Sequence, residues 1–210
     1  MDFDQVLIIC NGEPPSNKLL LEHWDKSDFH IAADGGANFL KSHWLKPNII
    51  IGDLDSLDDD MLKETSPESI FLVEEQQTND ADKAVRYSLE KGAKIIHLLG
   101  AAGKRQDQFL ANLEVMYKYS SQLKIILWTE TERMEFISGR WEEALAKETV
   151  ISLLPVFGGA SGVTTTGLAY PLEGQTMEPG KIPSGVSNAV SNSPVVIDIT
   201  AGKLLLVLSH

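Results

Sequence analysis

The chain is poor in cysteine, in basic residues and in long apolar runs, and each shortage excludes something. Its 210 residues include one cysteine, Cys10, so no disulfide can close within the chain. A lone thiol suits a reducing compartment, and a cytoplasmic location is expected. Lys and Arg number 18 against 30 Asp and Glu, a net charge of -12. That charge repels phosphate backbones and argues against a general nucleic-acid binder. It also leaves no basic amphipathic helix for an anionic membrane, and no apolar run approaches the roughly 18 residues of a membrane span. The opening MDFDQVLIIC reads as a first strand and not as a secretory leader. Neither G-x-x-x-x-G-K-[ST] nor G-x-G-x-x-G occurs, nor does G-x-S-x-G, and His23, His30, His43, His97 and His210 show no ligand spacing. The common nucleotide loops and serine-hydrolase chemistry are therefore not indicated.

What the chain does hold is unevenly placed. Residues 1–149 carry 27 acids against 16 bases, and of 14 aspartates only Asp198 lies beyond Asp107. Short carboxylates suit turns and helix N-caps, and they equally suit a metal or phosphate site.

Strand-like runs at 5–10, 29–33, 48–51, 69–73, 94–99 and 123–128 alternate with helical patterns, clearest at 80–91, where Ala81, Ala84, Val85 and Leu89 share a face, and at 107–119, where Leu110, Leu113 and Tyr117 do. Nearly continuous apolar strands alternating with helices predict a mostly parallel sheet in an α/β domain. Beyond 150 lie 8 of the 16 glycines and five of nine prolines, with short β-prone runs at 148–154, 162–166, 194–199 and 203–208 and no useful amphipathic helix. This predicts a small all-β sandwich. The expected domains are 1–138 and 139–210.

Ligands of open α/β sheets bind outside the carboxyl ends of the strands. Four polar clusters fall there: Asp34-Gly35-Gly36-Ala37-Asn38, Gly52-Asp53-Leu54-Asp55-Ser56, Gln76-Gln77-Thr78-Asn79-Asp80, and Gly100 through Gln108. Asp53 and Asp55 could place two carboxylates on one hard cation such as Mg²⁺, or form a solvated acidic turn. Asp58, Asp59 and Asp60 read as a helix start favoured by the dipole. Asn79 reads as an N-cap with Asp82 at the third helical position, which leaves Asp80 as the better ligand candidate. Lys83 opposes the helix dipole, which calls for an anionic partner: phosphate, Asp82 or Glu90. Gly35, Gly36, Gly100 and Gly103 would let backbone N–H groups approach phosphate, with Lys104 and Arg105 adding positive charge. His97 reads as a satisfied core residue, and Cys10 as a small core hydrophobe.

Together these clusters resemble the thiamine pyrophosphokinase family. ADGGAN at 33–38, GDLDS at 52–56, QQTND at 76–80 with Lys83, GAAGKRQDQFLAN at 100–112 and GVSNAV at 185–190 follow that family's motifs in order and spacing. The resemblance implies an α/β domain followed by a β-sandwich, acting as a homodimer whose thiamine site is shared between subunits. It implies Mg-dependent transfer of the pyrophosphoryl group of ATP to thiamine, leaving AMP. Carried over, Asp53, Asp55 and Asp80 are the Mg²⁺ carboxylates. Asp34, Gly35, Gly36, Asn38, Asp53, Lys83, Gly100, Gly103, Arg105 and Asp107 face ATP, while Gln76, Asp80, Ser187 and Asn188 face thiamine. Asp53, Asp55, Asp80, Arg105 and Asp107 are the implied catalytic set. Gln77, Asn79, Lys104 and Val186 depart from the family pattern, Lys104 at a position that is commonly glycine.

Two other classes fit parts of this. Asp53-Leu54-Asp55 after an apolar strand also resembles the D-x-D of an aspartyl-phosphate phosphohydrolase, but it follows the third strand and leaves GAAGKRQDQ and GVSN unused. A nucleotide- or thiamine-binding regulator is the non-enzymatic alternative.

Overall fold

Most apolar runs of the first half become strands because they are buried on both faces, and the patterned segments between them become helices that cover those faces; the edge run Ile70–Leu72 stays partly exposed. The computed structural model describes residues 3–73, 75, 77–181 and 185–210. The chain divides into two units, Met1–Glu130 and Thr131–His210.

The first unit holds β1 (Gln5–Ile9), β2 (Phe29–Ala33), β3 (Ile49–Gly52), β4 (Ile70–Leu72), β5 (Ile95–Leu99) and β6 (Lys124–Trp128). They pair in parallel in the order β6-β5-β1-β2-β3-β4. The order reverses at β1, which has β2 on one side and β5 on the other, and a crevice opens at such a switch point. Helices connect successive strands: α1 (Asn17–Lys26), α2 (Gly36–Ser42), α3 (Asp59–Glu64), α4 (Asp80–Glu90) and α5 (Gln106–Tyr119).

Local signals set the helix starts. The Ser16 hydroxyl accepts from the Leu19 N–H to cap α1, and the Asn79 side chain accepts from the Asp82 N–H to cap α4. α1 then buries Leu19 and Leu20, each burial contributing about 2 kcal/mol. They join Leu7, Ile9, Ala32, Leu40, Ile50 and Leu99 in one cluster.

Periodicity found α4 with its inward face, and found α5 but not its phase. α4 turns Ala81, Ala84, Val85 and Ser88 inward, with Leu89 half-buried; Ser88 fits the core by donating to the Ala84 carbonyl. In α5 the buried stripe is Asn112, Leu113, Met116 and Tyr119, while Leu110, expected inside, is 53% exposed. Either stripe recurs at three- and four-residue steps, so spacing alone does not select between them. α4 and α5 are tied through buried Asp82, whose carboxylate accepts from the Tyr119 hydroxyl at 2.7 Å and the Lys118 ammonium at 2.8 Å.

The second unit comprises β7 (Glu132–Glu143), β8 (Val150–Leu154), β9 (Ala160–Thr166), β10 (Gln175–Met177), β11 (Asn188–Ala189) and β12 (Val195–Ser209), all paired antiparallel. The boundary expected at 138/139 falls inside β7, because β7 pairs along its length with β12. The runs expected separately at 194–199 and 203–208 are one strand, bent where the register shifts between Ile199 and Leu204. Its first half pairs with β9 and its second with β8. Ile151, Leu153, Val163, Ile197, Leu204 and Leu206 belong to this unit's apolar core. No helix among the described residues is long and apolar enough to cross a membrane.

Candidate active site

The carboxyl ends of β1, β2, β3 and β5 and the starts of α4 and α5 surround one cavity of about 620 Å³, within the range of small-ligand sites. Asp34, Asp53 and Asp55, from the loops after β2 and β3, line it together with Asp80, and Gly100, Gly103, Lys104 and Arg105, from the loop after β5 on the other side of β1, line it too. Three of the four clusters expected at the strand ends thus reach it through the residues that carry charge, and Asp80 and Lys83 bring in the fourth.

The acidic wall has a specific geometry. Asp34, Asp53 and Asp80 each bring a carboxylate oxygen within 4.8 Å of the other two, the one such acidic group among the described residues. Asp34 is buried, and its Oδ1 meets no hydrogen-bond donor of the described chain. A buried carboxylate oxygen without a donor is costly unless a cation completes it. Asp55, expected as the second ligand of a D-x-D pair, is exposed; its hydroxyl neighbour Ser56 donates to it at 3.0 Å. Asp34 takes the third place because its backbone, at φ 45, turns the residue back from the end of β2. Spacing could not show this, since Asp34 and Asp53 are far apart in sequence.

Gly52 lets the carboxylates converge. A Cβ there would lie 2.9 Å from the Asp34 Cβ and 3.1 Å from the Asp80 Oδ1. Burial raises the Asp80 pKa above the usual carboxylate range, the Lys83 ammonium opposes that shift, and Asp34 and Asp53 add to it. Lys83 has its anionic partner in Asp80, at 2.9 Å, and not in Asp82 or Glu90.

The opposite wall is built by two loops hydrogen-bonded to each other. The Gly12 N–H donates to the Gly100 carbonyl at 2.6 Å, and the Glu13 N–H to the Ala102 carbonyl at 2.7 Å. Lys104 adopts φ 50, a conformation glycine reaches at less cost. Leu54 is also left-handed, at φ 67, so three of the strand-end loops hold a strained non-glycine residue, a feature that clusters at functional sites. Arg105 and Asp107 pair with each other in the open, and each stabilises the other's charged form.

Other expected residues have different surroundings. Asp107, Gly35, Gly36 and Asn38 do not line the cavity. Asn38 instead holds the loop after β3, donating to the Ser56 carbonyl and accepting from the Asp58 N–H. Gly36 permits close packing, since a Cβ would lie 2.2 Å from the Ile9 carbonyl oxygen. Gln76 lies outside the described residues. In the second unit Ser187 is exposed at φ 56. Asn188 is buried, and its amide is engaged by backbone: it donates to the Tyr170 carbonyl at 2.6 Å and accepts from the Tyr170 and Ala189 N–H groups. The Tyr170 side chain is 74% exposed.

Sequence reading passed over Asn11, Gly12, Glu75, Phe109 and Asn112, which line the cavity. Asn-Gly directly after the first strand was the available signal. Cys10 also lines it, but burial, with Asp80 adding, pushes its thiol up to about 12, which disfavours the reactive thiolate.

Comparison with known proteins identifies the family. Residues 20–127 match the model of the thiamin pyrophosphokinase catalytic domain, and residues 140–204 match that of its vitamin B1 binding domain. Thiamine pyrophosphokinase of Bacillus subtilis is 28% identical, with 96% of this chain and 97% of that protein covered. Thiamine pyrophosphokinase 1 of Oryza sativa subsp. japonica is 27% identical, over 91% of this chain and 82% of that protein. The crystal structure of the Bacillus subtilis enzyme superposes with a TM-score of 0.85 at 23% identity, covering 99% of both chains, and shows the same fold. The chain belongs to the thiamin pyrophosphokinase family and is an enzyme of the thiamine diphosphokinase class.

Proposed function

We propose that this enzyme transfers the pyrophosphoryl group of ATP to the hydroxyl of thiamine, releasing AMP, with Mg²⁺ bound at the acidic wall. The observation that carries the reading is a single cavity in which Asp34, Asp53 and Asp80 stand opposite a glycine-rich loop bearing Lys104 and Arg105. The residues fit a hard cation. Three carboxylates converge, one of them holds a buried oxygen without a donor, and glycine at 52 leaves the space between them. Asp34, Asp53 and Asp80 would hold the ion, with Asp55 at the rim of the same cavity. When bound, Mg²⁺ neutralises charge on the phosphate oxygens.

The chain's own residues supply the rest. Backbone N–H groups of the loop from Gly100 to Gly103, with Lys104 and Arg105, would bind the phosphates. Arg105 must leave Asp107 to do so, and their exposure makes that exchange inexpensive. The thiamine hydroxyl oxygen forms a bond to the β-phosphorus. The bond from that phosphorus to the oxygen bridging the α-phosphate breaks, and AMP departs with the electron pair. The hydroxyl proton goes to a carboxylate, Asp80 or Asp55. A pKa raised by burial suits Asp80 to accept it. The acidic wall also attracts the cationic thiazolium ring.

The family resemblance supports a cytoplasmic homodimer with thiamine bound between subunits, contacted by Gln76 and Ser187. Asn188 enters this reading through the backbone it holds at Tyr170. The second unit is read as the thiamine-binding sandwich, supported by the core its strands share.

Incubation with ATP, Mg²⁺ and thiamine tests the reading. Thiamine pyrophosphate and AMP in equal amounts are expected; formation of ADP, or no product with active-site residues intact, would refute it.

A further inference from the structure

Three hydrogen bonds run across the floor of the cavity. The Asn112 Nδ2 donates to the Ala101 carbonyl at 2.8 Å. The Asn79 Nδ2 donates to the Asn112 Oδ1 at 2.9 Å. The Asn79 Oδ1 accepts from the Asp82 N–H at 2.9 Å. One end of this chain is a carbonyl, which can only accept, and the other is an N–H, which can only donate. Both amides are therefore oriented without ambiguity. Asn112 and Ala101 are buried, where such bonds are strengthened and an unmet partner is costly.

The arrangement uses asparagine for a reason that helix capping does not explain. Serine and aspartate cap as well as asparagine, but neither places an N–H donor at the amide's reach while its oxygen caps. Asn112 is a poor helix former within α5, and its core-facing amide contributes no apolar packing. Both residues make sense as parts of one strap. At one end it grips the loop that leads to Lys104 and Arg105; at the other it grips the Asp82 N–H, in the helical turn that carries Asp80.

We propose that Asn79 and Asn112 are positioning residues that set the separation between Asp80 and the glycine-rich loop, and so align the two walls on one polyphosphate. The proposal rests on the pyrophosphoryl-transfer reading for its effect on rate, but the strap itself can be tested without turnover. A misplacement of about 1 Å between such walls is enough to cost up to a hundredfold in rate.

The test is Asn79→Ser, which keeps a cap of equal strength and ends one bond short of the amide nitrogen. In the substrate-free protein, the side-chain amide signals of Asn112 and the backbone amide signals of Gly100 and Gly103 should shift in two-dimensional NMR, with a modest fall in melting temperature from the unmet Asn112 Oδ1. Unmoved loop signals would overturn the strap. In turnover assays kcat/KM for ATP should fall about tenfold or more. Asn112→Ala should lose at least as much, and the double variant no more than Asn112→Ala alone, as expected of two residues acting as one unit. Unchanged kcat/KM in Asn79→Ser, or additive losses, would overturn the positioning role. Should Asn112→Ala not fold, Asn79→Ser decides the matter by itself. Absence of product from the unaltered enzyme would refute the proposed reaction and leave the NMR outcome standing.

Discussion

The Lys83 ammonium lies 2.9 Å from the Asp80 carboxylate, three residues back in the first turn of α4, with 2% of the Lys83 side chain exposed. A cation there opposes the helix dipole. It is held because three carboxylates crowd the neighbouring space, so Lys83 serves as the internal counter-charge of the acidic wall.

Replacing Lys83 by methionine should destabilise the metal-free protein by about 3 kcal/mol, since it leaves a half-buried carboxylate facing two others. Added Mg²⁺ should stabilise this variant more than the unaltered protein. Urea unfolding with EDTA or Mg²⁺ measures both, and equal stability in EDTA would remove the counter-charge role.

Asp34→Asn should separate stability from function. Asparagine tolerates the left-handed backbone at this position and removes a buried carboxylate whose Oδ1 has no donor. The metal-free protein should become more stable, while kcat falls about a hundredfold or more. Asp53→Asn should lose similar activity. Near-normal turnover in Asp34→Asn would exclude Asp34 from the cation site.

Gly52→Ala should drive Asp34 and Asp80 apart, because the added methyl meets both. The expected result is a steep loss of Mn²⁺ affinity in EPR titration in a protein that remains folded by circular dichroism. Unchanged affinity would show that the carboxylates do not act together.

Acid should weaken the first unit through His97. Its Nδ1 accepts from the Trp128 indole N–H at 3.0 Å, which places the proton on Nε2 facing the Gln5 Oε1 at 3.3 Å. Burial, then the neighbouring His23, Lys26 and Lys124, lower its pKa from 6.5 to about 4. The folded state therefore keeps His97 neutral where the unfolded chain already takes a proton. Stability is fully present above pH 6.5 and declines as pH falls toward about 4, by about 3 kcal/mol over that window. His97→Gln should flatten this part of a urea midpoint-against-pH curve; a curve of unchanged slope would assign the acid sensitivity elsewhere.

Much of the first unit was legible because its information is local. Alternating apolar runs and helical patterns marked β1 to β6, α4 and α5, and Asn79 showed its cap in the residues around it. α1 and α2 were less visible, being short, and the consecutive Leu19, Leu20 and Leu21 carry no clear period. The inward face of α5 was not legible, since two stripes share the same spacing and only contact with the sheet selects Asn112 and Met116 over Leu110. The bend of β12 was hidden for a related reason. A turn signal at Gly202 reads the same whether the chain reverses or merely shifts register.

The candidate site divides along the same line. Sequence alone determined that acids, glycines and bases follow successive strands, and parallel strands bring their carboxyl ends to one rim. It also carried the motifs by which the family is recognised. Tertiary structure decided which carboxylates meet: Asp34 with Asp53 and Asp80, leaving Asp55 exposed at the rim. It also decided that Lys83 answers Asp80, and that Asn188 holds backbone through its amide. These are choices of direction, made by left-handed residues, by a glycine without a Cβ and by hydrogen bonds between loops distant in sequence. Spacing along a chain sets how far a side chain can reach, while the packed fold sets where it points.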